Sequence, residues 1–556
     1  MFVSDFNKPL ILQSDFSLLL DVHNPLFDEA RGRLSAFAEL EKSPEHIHTY
    51  RMSPLSLWNA ASAGLTSESI LETLSLYSRF PVPPSVRTYI ESTVSKFGKI
   101  VLIDGGEGKI EIQIEDERVR REILSQKTII RLIAEENGKL FVPLLNRGFL
   151  KQALIDIGYP TEDKAPLVDG EPLELSLRTP TAASGKPFRI RDYQADAVKA
   201  FYRPNTPGTG YGVVVLPCGS GKTVVGIGVL NELQCAALIL TTNISAVRQW
   251  KEELLDKTTL SADQIGEYSG ETKEIKDITV ATYQILTWRG GSGEEFPHFS
   301  VFMKRNWGLI IYDEVHLLPA PVFRITAEIQ AMRRLGLTAT LIREDGREKD
   351  VFSLVGPKRY DVPWKDLEQS GWIASAECVE IRIGLPQEDQ IAYAVAGKRG
   401  KYRIASENRL KLDVMKKLVA RHSGESIIVI GQYLSQLQSA AEVLNAPLIN
   451  GQTPTALREE LYSRFKAGEV KIIVVSKVAN FAIDLPDASV AIQISGTFGS
   501  RQEEAQRLGR ILRPKEQKAF FYSLISDGTV EETFAANRQK FLIEQGYKYS
   551  LEFDSP

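Results

Sequence analysis

The run GVVVLPCGSGKT at residues 212–223 decides the fold class. It begins as an apolar, β-branched stretch typical of a buried strand and leads through two glycines into a helical pattern. Gly219 and Gly221 let the main chain wrap its N–H groups around phosphates. Lys222 is placed to reach the β- and γ-phosphates, and Thr223 to bind Mg²⁺. The run predicts a nucleoside-triphosphate site, and an ordinary strand–turn–helix is the alternative.

Strand-like runs alternate with amphipathic helical segments from Arg189 to the C-terminus. The first block contains GVVVLP, ALILTT, ITVATY, GLIIYDE and RLGLTAT, and the second contains SIIVIG, APLIN, KIIVVS, AIQIS and AFFYSLI. Continuous apolar strands separated by helices predict parallel sheets that are covered on both faces. Ligands bind such sheets at the carboxyl ends of the strands. The motifs fall at those ends, and Ser220 completes the glycine loop.

The part ahead of this α/β region has another pattern. Residues 54–63 and 67–79 have helical spacing, whereas KIVLI, KIEIQI and TIIRLI, broken by Gly-Gly and Asn-Gly, are typical of strands and turns. We therefore expect an α+β accessory domain over residues 1–165, with a helical part to about residue 97. Residues 166–187, rich in Pro, Gly, Thr and acidic side chains, predict a linker.

Bulk properties exclude several classes of protein. A chain of 556 residues, 43% apolar and 25% charged, predicts about three globular domains. Three widely spaced cysteines exclude a zinc set, an iron–sulfur cluster or a disulfide framework. No apolar run reaches the roughly 18 residues of a membrane span, so we expect a cytoplasmic protein, or a nuclear one in a eukaryote. The net charge of -4 means that a nucleic acid must be held by a local basic groove.

Two carboxylates follow a buried strand in LIIYDEVH, residues 309–316. Asp313 suits the shell of a Mg²⁺ ion, and Glu314 suits the orientation and deprotonation of an attacking water. Such a pair alone is often only a helix cap. Together with Lys222 in a parallel sheet, it predicts nucleotide hydrolysis.

An arginine motif lies in the second α/β block, as QRLGRILR at residues 506–513. Arg510 and Arg513 are three residues apart, so they share one helical face and could act as arginine fingers on the γ-phosphate. We include Gln506 among the nucleotide-binding residues. The alternative is a solvated helix face.

These motifs resemble those of superfamily 2 DNA helicases, and specifically of the xeroderma pigmentosum group B (XPB-like) family. The resemblance covers Arg189 to about Asp527 and includes IRDYQ (190–194), TTNISAVRQW (241–250), YSG (268–270), DEVH (313–316) and TAT (338–340). Arg343-Glu344-Asp345 is more specific, because it looks like the element with which the family opens duplex DNA. The run at residues 50–64 resembles the family's front region, and residues 98–165 would be the counterpart of its damage-recognition-like domain.

The resemblance implies an α/β fold of two RecA-like parallel-sheet motor domains in tandem, preceded by the α+β accessory domain. The first motor domain would be residues 188–370 and would bind ATP. The second would be residues 371–556, with a basic thumb-like segment at about 386–420. ATP and Mg²⁺ are the implied cofactors, with the metal on Thr223 and Asp313.

The resemblance also implies roles for single residues. Gln194 would read the adenine edge with Arg191 nearby, and Asp484 would belong to the ATP site. His316, Thr338 and Thr340 would couple the nucleotide state to the DNA-facing surface. The implied contacts with the DNA phosphate backbone are made by Asn243, Gln249, Ser269, Gly270, Thr282, Arg343, Glu344 and Asp345. For each polar residue taken singly, a turn or cap is the alternative.

The densest basic stretch is GKRGKYR at residues 397–403, followed by Lys411, Lys416 and Lys417. Lys401 and Tyr402 would bind phosphate and stack on a base, and the family has a thumb-like element in this area. A solvated linker face is the open alternative. The chain departs from the family at Ala479-Asn480-Phe481-Ala482, where Gly-Asp-Thr-Ser is usual.

The expected function is that of an ATP-dependent DNA helicase or double-stranded DNA translocase, moving 3′ to 5′, in DNA repair or transcription-linked remodelling. DNA is the expected partner, a nuclease or repair complex is a candidate partner, and we expect a monomeric motor with no membrane association. One alternative is an RNA helicase, against which Asp-Glu-Val-His and Arg-Glu-Asp argue. The other is a non-hydrolysing, ATP-regulated DNA-binding scaffold, which the altered segment around Phe481 leaves open.

Overall fold

Short apolar runs near the N-terminus pair into a four-stranded antiparallel sheet ordered β1-β2-β4-β3. Its elements are β1 (Leu10–Leu12), β2 (Ser17–Asp21), α1 (Phe27–Leu34), β3 (Glu39–Lys42) and β4 (Ile47–Arg51), followed by α2 (Pro54–Ser62), α3 (Ser67–Tyr77) and α4 (Pro84–Val94). Ser53 and Thr66 cap α2 and α3 with their hydroxyls. The prediction of a helical part to about residue 97 is wrong for the four strands on either side of α1, because alternate side chains there, such as Leu18 and Leu20, enter the core from a strand.

A five-stranded sheet follows, ordered β7-β8-β6-β5-β9. Its elements are β5 (Val101–Asp104), β6 (Lys109–Gln113), α5 (Glu117–Leu124), α6 (Lys127–Ile130), β7 (Ala134–Glu136), β8 (Lys139–Pro143), α7 (Arg147–Asp156) and β9 (Glu162–Asp163). The strands predicted for KIVLI and KIEIQI are present, but the strand predicted for TIIRLI is wrong. Helix α6 lies there, since a helical turn buries Ile129 beside Leu150 and Leu154 while Ile130 stays exposed.

The first parallel sheet has seven strands in the order β12-β13-β11-β14-β15-β10-β16. Its strands are β10 (Tyr211–Val215), β11 (Ala237–Thr241), β12 (Ile265–Tyr268), β13 (Ile278–Thr282), β14 (Leu309–Asp313), β15 (Arg333–Thr338) and β16 (Lys358–Asp361). The helices are α8 (Asp192–Phe201), α9 (Lys222–Leu233), α10 (Ile244–Lys257), α11 (Tyr283–Thr287), α12 (Ala320–Glu328) and α13 (Glu348–Asp350). Every residue of β10, β11 and β13 is buried, as expected for a sheet covered on both faces.

The segment predicted as a linker lies against this first parallel sheet. Its main chain is bonded to the sheet domain at three places: Glu171 N–H donates to Asn306, Leu173 N–H to Gln234, and Arg178 N–H to Lys257. In a flexible spacer these main-chain N–H groups would donate to water instead. The prediction of a plain linker is therefore wrong for residues 171–178. The Pro-rich composition reflects an extended segment that is docked.

The second parallel sheet also has seven strands, in the order β19-β20-β18-β21-β22-β17-β23. Its strands are β17 (Ala376–Ile383), β18 (Ile427–Gly431), β19 (Leu448–Ile449), β20 (Ile472–Ser476), β21 (Val490–Gln493), β22 (Ala519–Ser526) and β23 (Tyr549–Asp554). The helices are α14 (Gln387–Val395), α15 (Lys398–Ser406), α16 (Leu410–Arg421), α17 (Leu434–Leu444), α18 (Thr455–Lys466) and α19 (Val530–Glu544). The predicted α/β class with two RecA-like parallel sheets is confirmed.

The chain forms two compact units, Met1–Leu216 with Gly221–Asp361 and Val362–Pro556 with Pro217–Ser220. The computed structural model describes residues 5–42, 46–106, 108–183, 185–206, 208–217, 219–289, 296–329, 332–339, 348–362, 367–368, 370–372, 375–476, 488–496, 518–544, 547 and 549–554. Within these ranges, none of the helices has the length and apolar character that a bilayer crossing requires.

Candidate active site

The glycine loop between β10 and α9 is shaped by two left-handed residues. Gly219 has a φ of 78° and Gly221 a φ of 81°, a conformation that other residues adopt at a cost. A Cβ atom on Gly221 would lie 2.5 Å from the Nε2 atom of Gln194, so a larger residue would have to displace the end of that side chain as well as adopt a positive φ. The buried hydroxyl of Ser220 donates to the carbonyl of Pro217 at 2.7 Å. Among the described residues of the loop, the two left-handed glycines thus suit the phosphate cradle predicted for it, and Lys222 opens the helix behind it.

Lys222 and Glu314 meet at the carboxyl end of the first parallel sheet. The Nζ atom of Lys222 lies 3.1 Å from Oε1 of Glu314, and the two side chains are 11% and 21% exposed. Glu314 has a φ of 50°, a left-handed conformation that is rare outside glycine. This turn directs its carboxylate to the lysine directly after β14 ends at Asp313. The structure thus brings together the lysine predicted to bind phosphate and the glutamate predicted to activate water.

Asp313 is held on both carboxylate oxygens. The indole Nε1 of Trp250 donates to Oδ2 at 2.9 Å, and the main-chain N–H of Glu314 donates to Oδ1 at 3.1 Å. Burial, followed by the negative charge of Glu314, raises the pKa of Asp313 to about 6. A nearby cation would relieve both causes, so this carboxylate is suited to a divalent metal.

His316 joins the acidic pair to the end of β15. Its Nδ1 atom lies 2.7 Å from Oγ1 of Thr338 and 3.4 Å from Oε2 of Glu314. The carbonyl of Thr338 accepts the N–H of Leu216, which begins the glycine loop, at 2.9 Å. Of the three residues predicted to couple the nucleotide state to the surface, His316 and Thr338 are therefore in contact. Thr340 lies outside the described residues.

The oxygen ligands here fit Mg²⁺ bound together with a nucleotide. Asp313 offers a carboxylate and Thr223 a hydroxyl, and both are the hard oxygen ligands that Mg²⁺ prefers. In the described part of the chain, no group of three or more His, Cys, Asp or Glu side chains could hold a metal by itself. Mg²⁺ usually takes one or two carboxylates and completes its shell with phosphate oxygens and water. The residues present match that donor set and the shape of the cradle.

The pair predicted to contact adenine lies beneath the glycine loop. The side-chain oxygen of Gln194 accepts the main-chain N–H of Arg191 at 3.0 Å, and its Nε2 faces Gly221. The Nη1 atom of Arg191 lies 3.3 Å from the hydroxyl of Tyr193. This arrangement ties the start of α8 to the cradle. Contact with adenine stays a prediction.

The predicted DNA contacts on the first sheet divide into residues that solvent can reach and residues that are buried. The first group is Gln249, Gly270 and Asn243. Gln249 and Gly270 are exposed, and nothing lies near the open side of Gly270. Asn243 is half-buried and caps α10 by accepting the N–H of Ala246. These three stay candidates, and for Asn243 the cap that sequence reasoning weighed as an alternative is present.

For Ser269 and Thr282, a direct side-chain contact with DNA is wrong. Ser269 is fully buried, and its hydroxyl donates to Glu267 at 2.8 Å and accepts the N–H of Glu271. Thr282 is 2% exposed, and its hydroxyl caps α11 by accepting the N–H of Ile285. Both hydroxyls hold the main chain at the strand ends.

In the thumb-like segment, the predicted base-stacking role of Tyr402 is wrong. Tyr402 is fully buried and its hydroxyl donates to the carbonyl of Gly496 at 2.6 Å, so no face is open to a base. Lys411 is also fully buried, in an ion pair with Glu531. Lys401 stays a candidate, half-buried with its Nζ 5.4 Å from the ring centre of Tyr393. The helical period turns every third or fourth residue of this basic run inward.

Several predicted residues fall outside the part of the chain that the structure describes. They are Thr340, Arg343, Glu344, Asp345, Asp484, Gln506, Arg510 and Arg513. The departure at residues 479–482 lies there as well. Their roles stay predictions of the sequence.

Sequence reasoning assigned no role to Trp250, which the structure places on Asp313. A signal was present, because Val247, Trp250 and Leu254 recur at helical spacing and all three are buried on one face of α10. That spacing indicates that the indole points to the sheet. It does not say which atom the indole reaches.

Comparison with known proteins identifies the family of this chain. Three family models match: "ERCC3/RAD25/XPB C-terminal helicase" at residues 367–553, "Type III restriction enzyme, res subunit" at residues 187–343, and "Helicase conserved C-terminal domain" at residues 10–137. The chain is 50% identical to a DNA 3'-5' helicase XPB of Mycobacterium tuberculosis, over 98% of this chain and 97% of the relative.

Two further relatives extend the comparison. A DNA 3'-5' helicase XPB of Kineococcus radiotolerans is 49% identical, over 98% of this chain and 96% of the relative. A "General transcription and DNA repair factor IIH helicase/translocase subunit XPB" of Enterocytozoon bieneusi is 33% identical, over 97% of this chain and 92% of the relative. With the glycine cradle, the Lys222–Glu314 pair and two parallel sheets already in place, this similarity over nearly the full length means that the chain belongs to the XPB family of superfamily 2 helicases.

Proposed function

We propose that the protein is an ATP-driven motor on DNA, a 3′–5′ helicase or double-stranded DNA translocase. The observation that carries the proposal is the meeting of Lys222 and Glu314 at 3.1 Å, directly after the half-buried Asp313 and beside a glycine cradle. An ion pair with a purely structural role would not require a glycine loop next to it. Membership of the XPB family supports DNA as the track, since the bacterial relatives are named DNA 3'-5' helicases.

Each residue then has one task in hydrolysis. The N–H groups of the glycine loop and the Lys222 ammonium bind the phosphates, so the lysine exchanges its contact with Glu314 for one with the nucleotide. Bound Mg²⁺-ATP would supply the phosphoryl group, and its metal would neutralise charge. Asp313 and Thr223 would hold that metal. Glu314, released from Lys222, orients the attacking water and takes its proton on a carboxylate oxygen.

The contacts of His316 offer a route from hydrolysis to movement. A change in the charge or position of Glu314 reaches His316 at 3.4 Å and then Thr338 at 2.7 Å. Thr338 ends β15, directly before the predicted Arg343-Glu344-Asp345 element for duplex opening. We propose that Arg510 and Arg513 complete the γ-phosphate site and that Gln506 and Asp484 belong to it.

The biological setting follows from the family. We propose a role in DNA repair or transcription-linked remodelling, with chromosomal DNA as the main partner and a nuclease or repair complex as a candidate second one. The relative from Enterocytozoon bieneusi is named as a subunit of a transcription and repair factor, which supports this setting. The expected cytoplasmic location stays a prediction.

Two assays on the full chain test the proposal. The first compares ATP turnover with no nucleic acid, duplex DNA, single-stranded DNA and RNA, and we expect DNA to stimulate more than RNA. The second follows strand displacement on duplexes with a 3′ or a 5′ tail, and we expect the 3′-tailed substrate to be favoured. Lys222→Ala is the inactive control. Turnover that no DNA stimulates, or that Lys222→Ala retains, contradicts the proposal.

A further inference from the structure

Trp250 connects α10 to the carboxylate that is suited to the metal. Its side chain is 1% exposed, and its indole Nε1 donates to Oδ2 of Asp313 at 2.9 Å. The other oxygen of Asp313 is held by the main chain of Glu314. Among the described residues, the indole is thus the side chain that donates a hydrogen bond to this carboxylate, and it fixes how the carboxylate is turned.

The indole ring is also fitted against the helix that follows the glycine loop. A Cβ atom on Gly226 would lie 2.6 Å from Cη2 of Trp250 and 3.4 Å from Cδ1 of Ile311. Gly226 is four residues after Lys222, one turn along α9. The ring therefore touches the helix that carries Lys222 and Thr223, while its N–H holds Asp313. A shift of the ring by a fraction of an ångström changes both contacts.

Other side chains of α10 face outward. Gln249, adjacent to Trp250, is exposed, and Asn243 caps the start of α10. Both are candidate contacts for the DNA backbone. A DNA strand bound to these residues would contact the same helix that carries the buried indole, because Asn243 caps α10 while Gln249 and Trp250 lie within it. One 14-residue helix thus joins the candidate DNA contacts to Asp313.

We propose that Trp250 is a positioning residue that sets the orientation of Asp313 for Mg²⁺ and conveys DNA contact through α10 to the nucleotide site. The inference rests on the proposed motor function and deepens it. A second buried tryptophan shows what an ordinary structural indole looks like. Trp307 is fully buried, and its Nε1 donates to the carbonyl of Val301 at 3.0 Å, away from any site residue.

The test compares Trp250→Phe with the matched control Trp307→Phe in the full chain. The main readout is the affinity for ADP measured with Mg²⁺ and with EDTA, which gives the gain in affinity due to the metal without any turnover. We expect Trp250→Phe to reduce that gain by roughly tenfold, because a hydrogen bond to a charged acceptor is lost. Trp307→Phe, which loses a bond to a neutral carbonyl, should leave the gain unchanged.

The second readout is the ratio of ATP turnover with and without duplex DNA. We expect this ratio to fall several-fold in Trp250→Phe and to stay at the wild-type value in Trp307→Phe. If both variants keep the wild-type metal gain and DNA ratio, the inference is overturned while the motor function stands. If the wild type itself shows neither a metal gain nor a DNA effect, the proposed function fails.

Two more variants separate positioning from packing. Trp250→His keeps a ring N–H but fills less space, so positioning predicts a larger metal gain than in Trp250→Phe, whereas packing alone predicts the reverse order. Gly226→Ala keeps every polar group and pushes a methyl group into the indole. We expect it to reduce the metal gain as well, which keeps the inference testable if Trp250→Phe does not fold. A full metal gain in Gly226→Ala contradicts the inference.

Discussion

The two parallel-sheet regions each contain a lysine–glutamate pair, and the two pairs are built differently. In the first, Lys222 and Glu314 are 3.1 Å apart and partly exposed beside a glycine cradle. In the second, Lys411 and Glu531 are 2.7 Å apart and fully enclosed. Glu531 also accepts the N–H of Ser526, and Lys411 donates to the carbonyl of Ile494. The same two residue types thus form a partly exposed pair beside the glycine loop in the first sheet and a fully enclosed pair in the second.

The sharpest way to break this comparison is to neutralise the glutamate of each pair. Glu314→Gln should lower ATP turnover by roughly 10²–10⁴, because an amide cannot take the proton of the attacking water. Its thermal unfolding should stay close to that of the wild type. Glu531→Gln should show the reverse pattern: it should keep its ATP turnover and unfold at a lower temperature than the wild type. Equal loss of turnover at equal stability in both variants would show that the two pairs do not differ in kind.

The second largest effect is expected on stability. Lys411→Met leaves Glu531 buried without its cation, which should cost about 3–5 kcal/mol in the free energy of unfolding. Lys417→Met is the control, since Lys417 pairs with Asp554 at the surface and is 65% exposed. That change should cost at most about 1 kcal/mol. Denaturant unfolding measures both, and similar values for the two variants contradict the brace.

A smaller effect sharpens the assignment of the thumb-like segment. Tyr402→Phe removes the buried hydroxyl that donates to Gly496, which should cost about 1 kcal/mol of stability. DNA affinity should not change, because the ring is enclosed. Lys401→Ala is the companion variant, and its DNA affinity should fall if this lysine binds phosphate. Fluorescence anisotropy with a labelled duplex decides, and weaker DNA binding by Tyr402→Phe at unchanged stability would contradict its internal role.

The smallest effect is expected on the exposed face of α10. Gln249→Ala should weaken DNA binding about threefold, because water can replace an exposed amide that donates to a phosphate. Ser269→Ala should act through stability, because its buried hydroxyl holds the turn with Glu267 and Glu271. Anisotropy titrations at two salt concentrations measure DNA binding, and thermal melts on the same variants measure stability, so the two effects can be separated. A loss of DNA affinity in Ser269→Ala without any loss of stability would restore it as a contact.

The residues at the strand ends could be predicted from sequence because parallel strands bring their carboxyl ends to one edge. That rule alone places Lys222, Glu314 and Thr338 together, although about ninety residues separate the first two. Their residue types then indicate the chemistry. The family resemblance pointed to the same set, and it also covers the arginine motif that lies outside the described residues.

The errors have a common physical cause. A local pattern tells which residues are polar but not which of them tertiary packing will enclose, as Tyr402 and Ser269 illustrate. The run at residues 128–133 has strand-like composition, yet a helical turn buries Ile129 better. The docked segment at residues 171–178 bonds to chain that is up to about 135 residues away, which no local window contains. Trp250 was missed for the same reason, since its partner Asp313 lies 63 residues away.

The most direct measurement of the central claim is ATP turnover by Lys222→Met in saturating duplex DNA, with the free energy of unfolding determined on the same preparation. The account predicts that turnover falls to background while the loss of stability is smaller than for Lys411→Met, because the Lys222–Glu314 pair is less enclosed than the Lys411–Glu531 pair. Turnover close to the wild-type rate, or a loss of stability as large as that expected for Lys411→Met, would contradict it.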